Sequence, residues 1–423
     1  MSKKNFYLLF LTSLIYLSFF FGYLFQENSA GGGSIDFKHI SSNIFLFKDN
    51  KLLEIDWTKY ESTSLPIYYL IIKALNIFDF FKIGLFNLFI SLLSILVFYR
   101  SLININQIYN LKIENSVLFG ISSLPLLSPY FRTSTFWMLE ENIGYLFMLL
   151  SIFFWTKKKT HLNIFFCIIF SSLAFYSRQS YAFICIIIFF SLINFKEILS
   201  YKNFVISLVF LVSLFPSVYF FYEWKGLIPP YAATDRKISF QFINLLIIFS
   251  VSFFYLFPFL IFEQKSILKK FFKKNYIFLI ISFILFCIFF FNKIQPDDIY
   301  YKFKLGGGII YKLVFHLNYL FDSFFLKKIC FLILSYFGLI LIFLFGSKTF
   351  ELKLFFLVFF LIFSNANIIF QEYFDPMIFF LIIIFYKIKD LRCNFVNLYF
   401  FLFCYNLTLL ISNLVYYNIL LTL

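Results

Sequence analysis

Charge is what this sequence holds least of for its length. Of 423 residues, 13% are charged and 62% are hydrophobic, more apolar surface than a water-soluble domain can bury, so the surrounding solvent must be lipid. Charges are missing above all from blocks close to the roughly 20 helical residues that cross about 30 Å of hydrocarbon. Cysteine is sparse as well. Cys167, Cys185, Cys287, Cys330, Cys393 and Cys404 lie in or beside these blocks with no CxxC pair, which indicates neither a disulfide framework nor a zinc site. No A-x-A site follows the first apolar run, and that run is long for the core of a signal peptide, so it reads as a helix. The short alternating pattern of barrel strands is also missing, and an open sheet would leave its backbone unsatisfied in hydrocarbon. A helix bundle remains.

Taking each block as a span predicts an all-α, polytopic transmembrane helix bundle of about 12 to 13 spans with outer loops and interfacial helices. The blocks are 6–25, 83–99, 116–130, 139–155, 162–177, 181–195, 203–222, 242–262, 276–291, 329–345, 354–370, 377–386 and 396 to the C-terminus. Together they make a single integral membrane domain, 1–423, in which 27–82 is the first outer loop. Lys3 and Lys4 favour a cytoplasmic N-terminus. Alternating the spans from there gathers Arg100, Lys157, Lys158, Lys159, Lys196, Lys202, Lys265, Lys269 and Lys270 into short inner loops, as the positive-inside rule requires. The net charge of +15 is thus a topology signal, and nucleic-acid binding need not be invoked. The expected location is a bacterial inner membrane or the endoplasmic reticulum.

The polar residues collect on the outer face, in loops where function is to be sought. The first loop opens with Gly31, Gly32 and Gly33 and runs through Asp36, Lys38, His39, Asp49, Glu54, Asp56 and Glu61 to the stretch 65–70, which is too short to span and reads as an interfacial amphipathic helix. Most of its carboxylates need do nothing but stay wet. Asp36 stands apart because glycines before it let backbone approach closely and set a carboxylate at the water–lipid boundary. There it can take a proton from a soluble hydroxyl while facing a lipid-embedded substrate. His39, one turn on, either positions Asp36 or is structural.

A second group holds Arg132, Glu140 and Glu141, with Arg178 and Gln179 in a tight turn between spans. Arg178 can clamp a lipid-linked phosphate, or form a salt bridge to Glu140 or Glu141. Two adjacent carboxylates on a helix diverge and chelate a divalent cation poorly by themselves. A third group, Glu223, Trp224, Lys225 and Gly226, is followed by Asp235, Arg236 and Lys237; an interfacial Trp anchors the chain or stacks on a sugar ring.

Read in order, these residues resemble the GT-C superfamily of polyprenyl-phosphate-sugar-dependent glycosyltransferases, and within it the dolichyl-phosphate-glucose α-1,2-glucosyltransferase family. The superfamily carries an acidic residue soon after its first helix and a Pro-aromatic-Tyr signature in the interfacial segment, here Asp36 and Pro66-Ile67-Tyr68-Tyr69. The glucosyltransferases show an acidic pair then His, an Arg-Gln-Thr-Asn stretch, and a Trp-Asn-Gly-Gly stretch. This chain offers Ile35-Asp36-Phe37-Lys38-His39, Arg178-Gln179-Ser180-Tyr181 and Trp224-Lys225-Gly226-Leu227. One carboxylate replaces the pair, Thr-Asn is lost, and one glycine remains of two. The resemblance implies an inverting transfer from a polyprenyl- or dolichyl-phosphate sugar to an acceptor hydroxyl of a glycan or lipid-linked oligosaccharide. Asp36 would be the general base, and Arg178 with Arg132 or Lys225 would stabilise the leaving phosphate.

The competing readings are a transporter or flippase for lipid-linked saccharides and a polymerase or ligase of surface polysaccharide. A transport path sets ionisable residues near mid-membrane, often in matched halves, whereas these span interiors are nearly all apolar and show no internal repeat.

Overall fold

The computed structural model describes residues 3–233, 240–262, 265–296, 299–302, 306–316, 323–346, 349–366, 368–385 and most of 400–413. The chain is helical, with no strand among the described residues. Six helices are long and apolar enough to cross a membrane, or seven if one bent pair counts as a single span; this is a multi-pass membrane protein. The backbone clusters into two compact units, 1–237 and 238–423.

The first unit contains α1 (Lys3–Leu24), α2 (Gly33–Asp49), α3 (Ile67–Ala74), α4 (Phe80–Ile108), α5 (Asn115–Ser123), α6 (Pro129–Phe136), α7 (Glu141–Trp155), α8 (His161–Ser177), α9 (Ala182–Leu192), α10 (Tyr201–Trp224) and the short α11 (Pro230–Ala233). The stretch 65–70, expected to be an interfacial helix, is helical from Ile67 to Ala74 as α3. The helix begins just after Pro66, whose ring suits a helix start, and it buries Tyr68, Tyr69 and Ile72.

Contacts set the direction of each pass. Along α1, Tyr16 stacks on Phe119, while Phe19 meets Phe131 and Phe136 and Tyr23 meets Phe136, so the segment from α5 to α6 runs parallel to α1. Phe154 lies on Phe166 and Phe170, and Arg178 at the far end of α8 reaches Glu141 at the start of α7, so α7 and α8 are antiparallel. Trp155 donates to Ser191 of α9, and Tyr176 of α8 donates to Ser213 of α10. Asn142 donates to Ser91 and Asn104 to Thr156, so α4 runs parallel to α7, and the apolar segments α1, α4, α5 to α6, α7, α8, α9 and α10 alternate in direction; of these α1, α4 and α10 are each long enough to cross a membrane, and α6 with α7 is the bent pair. Several of them fall short of a full span in any one helix: the 116–130 block is cut at Leu124 and again at Pro129, and the 139–155 block begins its helix only at Glu141.

The second unit contains α12 (Phe242–Leu256), α13 (Lys265–Phe290), α14 (Ile299–Lys302), α15 (Gly308–Phe315), α16 (Phe324–Gly346), α17 (Phe350–Phe363) and α18 (Met377–Phe385). Its core is the α12–α16 pair. The 354–370 block ends early as a helix, and the final block from 396 lies largely outside the described residues, as do Asp235, Arg236 and Lys237. Large apolar side chains stay exposed along α1, α10 and α13, Phe10, Phe204, Phe215 and Phe278 among them, where a soluble protein would have buried them.

Candidate functional site

Asp36 is positioned by the glycines that precede it. Gly31 and Gly32 hold φ of 71° and 81°, the left-handed region that only glycine enters at little cost. A Cβ on Gly33 would stand 2.7 Å from both Thr133 and Trp137. The chain before α2 is thus pressed onto α6, where the Ala30 amide donates to Thr133 at 3.0 Å and the Trp137 indole donates to the Glu27 carbonyl at 3.2 Å. Asp36 lies in the first turn of α2 and is exposed; the partial positive charge of the helix N-terminus favours a carboxylate there.

His39 follows one turn later, its Nδ1 2.8 Å from Oε2 of Glu61. Asn43, the next residue on that face, accepts from the Glu61 amide at 2.8 Å and donates to the Tyr69 hydroxyl at 3.1 Å. A strap, 60–66, therefore runs along α2 and is held at several points. The Tyr60 hydroxyl donates to the Ser64 carbonyl at 3.0 Å, the Ser64 amide donates to the Ser62 hydroxyl at 3.0 Å, and that hydroxyl donates to Oε1 of Glu140 at 2.9 Å.

Glu140 stands in the sharp turn between α6 and α7, which bends the pair by 117°. Tyr68 braces the turn by donating to the Met138 carbonyl at 2.9 Å, and Asn87 of α4 donates to the Leu139 carbonyl at 3.2 Å. Glu140 is 8% exposed. Its burial, and then the neighbouring Glu141 charge, push its carboxyl up to about 7. Burial likewise raises the Tyr60 and Tyr69 hydroxyls well above the usual phenol range, with the Glu140 charge adding to it.

The remaining expected residues divide. Arg178 forms an ion pair with Glu141 at 3.1 Å, and Glu141 also accepts from Ser134 at 3.2 Å. Gln179 donates to the Leu227 carbonyl at 2.7 Å, tying the α8–α9 turn to the end of α10. Lys225 is exposed in the left-handed conformation that ends α10. Trp224 is 4% exposed, stacked on Tyr60 and packed edge-on to Trp57, so its ring is core in this arrangement and its face is not open to a sugar. Arg132 is 2% exposed. Its guanidinium pairs with Glu27, donates to the Ser18 carbonyl at 2.9 Å and the Leu126 carbonyl at 3.2 Å, and lies over Phe136. With its donors directed to these groups, Arg132 braces α1 against α6 and offers nothing to a leaving phosphate. Among the described residues no three His, Cys, Asp or Glu side chains gather as a metal site, and Glu141 is engaged by Arg178.

The chain matches no family model, no curated protein and no solved structure. Its site must be judged by its own geometry. Sequence reasoning missed Glu61, Ser62 and Glu27 as partners of His39, Glu140 and Arg132. An acid closing the first apolar run was a signal that Glu27 needed a cation, since a charge at a helix end in lipid seeks a partner.

Proposed function

We propose that this protein is a membrane glycosyltransferase that moves a sugar, with inversion, from a polyprenyl or dolichyl phosphate to an acceptor hydroxyl of a glycan or lipid-linked oligosaccharide. One arrangement supports the reading. Exposed Asp36 and half-buried His39 share one side of a helix outside the apolar passes, and Glu61 and the strap link that side to the acids and the arginine at the ends of α7 and α8.

In this reading the Asp36 carboxylate accepts the acceptor's hydroxyl proton as its oxygen bonds to the anomeric carbon. The bond from that carbon to the phosphate oxygen breaks, and the lipid phosphate leaves with the electron pair. Its growing charge is met by Arg178, freed in part from Glu141, and by Lys225. His39, fixed by Glu61, orients the acceptor. The donor chain lies among apolar passes and the acceptor arrives from water.

A second reading has its own support. The bent α6–α7 pair carries a buried acid at its break, an arrangement that a carrier of lipid-linked saccharides would use.

Purified protein given polyprenyl-phosphate sugars should consume donor and glycosylate acceptor. Asp36→Asn should still bind donor while turnover falls at least about 100-fold, the lower range for a lost general base. Equal turnover removes Asp36 from the chemistry. Movement of lipid-linked saccharide across liposomes with no transfer from any donor favours the carrier.

A further inference from the structure

Two adjacent acids end in opposite circumstances. Glu141 faces Arg178 and Ser134. Glu140, 8% exposed, accepts from Ser62 on Oε1, and its buried Oε2 has no hydrogen-bond partner. The groups that face it are Glu141 beside it in the chain, Arg178 from the α8 turn, Tyr60, Ser62 and Ser64 from the strap, and Tyr68 and Tyr69 from α3. Arg178, the cation of this set, is paired with Glu141. A buried ionised carboxylate without its own counter-charge is strongly disfavoured, whereas a protonated one costs little and still accepts from Ser62.

We propose that Glu140 is a positioning residue that latches the 60–66 strap through Ser62 and so holds Glu61 against His39, beside Asp36. The latch is closed while the carboxyl keeps its proton. Ionisation favours an opened strap, because only there does water reach the charge. The consequence for sugar transfer rests on the glycosyltransferase reading, and the latch does not. With the buried carboxyl pushed up to about 7, strap opening should gain about tenfold per pH unit from the ordinary carboxyl range up to neutrality and then level off.

Hydrogen–deuterium exchange on the full chain in lipid nanodiscs tests this, with peptides covering 60–66 corrected for intrinsic rate and compared at pH 5 and pH 7.5. A second readout is the rate at which diethylpyrocarbonate modifies His39, resolved by mass spectrometry. Wild-type strap exchange should rise at least about tenfold between the two pH values, while Glu140→Gln should stay slow at both. Ser62→Ala should exchange faster than wild type at pH 5 and expose His39 to faster modification. A wild-type strap indifferent to pH, or the same rise in Glu140→Gln, overturns the inference. If Glu140→Gln does not fold, the wild-type profile and Ser62→Ala still decide it. Neither readout uses sugar, so a responsive strap in a protein that transfers none overturns the functional reading and leaves the latch standing.

Discussion

Arg132 and Glu140 are both buried ionisable residues near the α6–α7 turn, and the fold treats them differently. Arg132 is compensated by Glu27 and by carbonyls. Removing it leaves a carboxylate without its cation, so Arg132→Met should cost about 3–5 kcal/mol, read as a lowered thermal midpoint in detergent. Adding Glu27→Gln should return part of that loss. Glu140 lacks such compensation, and its carboxyl is raised from the ordinary 4.5 to about 7. Between those values the folded chain binds a proton that the unfolded chain releases, so stability is full below about pH 4.5, falls by about 3 kcal/mol as pH rises to 7, and is flat beyond. Glu140→Gln should therefore be more stable than wild type at pH 8 and no more stable at pH 4, which thermal unfolding across a pH series would show. The Arg178–Glu141 pair was legible in the sequence, because a tight turn between two spans leaves Arg178 few places to go. Arg132 with Glu27 was not, since nothing local brings together residues more than 100 positions apart.

At the scale of elements, two glycines mark where helices touch most closely. A Cβ on Gly338 of α16 would lie 1.8 Å from the Phe249 carbonyl oxygen of α12, so Gly338→Ala must push the pair apart. The cost should be at least about 1–3 kcal/mol, the range for overpacking. Gly226→Ala is the control: its Cβ would meet nothing closer than 4.0 Å, and its thermal midpoint should match wild type. Gly144→Ala belongs with Gly338, since its Cβ would stand 2.5 Å from the Tyr181 ring, and it should also disturb the Arg178 turn. The apolar blocks foretold the helices, six of them long enough to cross or seven with the bent pair where 12 to 13 spans were expected, and the 65–70 stretch foretold the helix α3. The breaks were only half visible. Pro125 and Pro129 announce the interruptions between α5 and α6, whereas the bend at 137–140 contains neither proline nor glycine and turns through Met138 at φ 58°. Tertiary contacts from Tyr68 and Asn87 hold that bend, and a local reading cannot see them.

At the scale of the whole molecule, contacts within the first unit combine with charge to predict which side each loop occupies. Ser62 touches Glu140, so the α6–α7 turn lies on the same side as Asp36. Between them the chain descends through α4, 29 residues long, and must return through α5 and α6. Although cut into pieces, that return runs parallel to α1, and we read it as a crossing. On that reading α7 runs back and delivers Lys157, Lys158 and Lys159 to the opposite side from Asp36. Counting the bent pair as one span would instead place this lysine run with Asp36, against the tendency of basic loops to remain cytoplasmic. Single cysteines at positions 38 and 158, in a background without native cysteine, should therefore react with a membrane-impermeant maleimide from opposite faces. Position 158 should label only after cytoplasmic access is opened, and position 38 in intact cells or sealed lumen-out vesicles. Labelling of both from one face would make α5 to α7 a single broken span, and Glu140 would then sit within the membrane, where its buried proton fits a carrier better than a transferase.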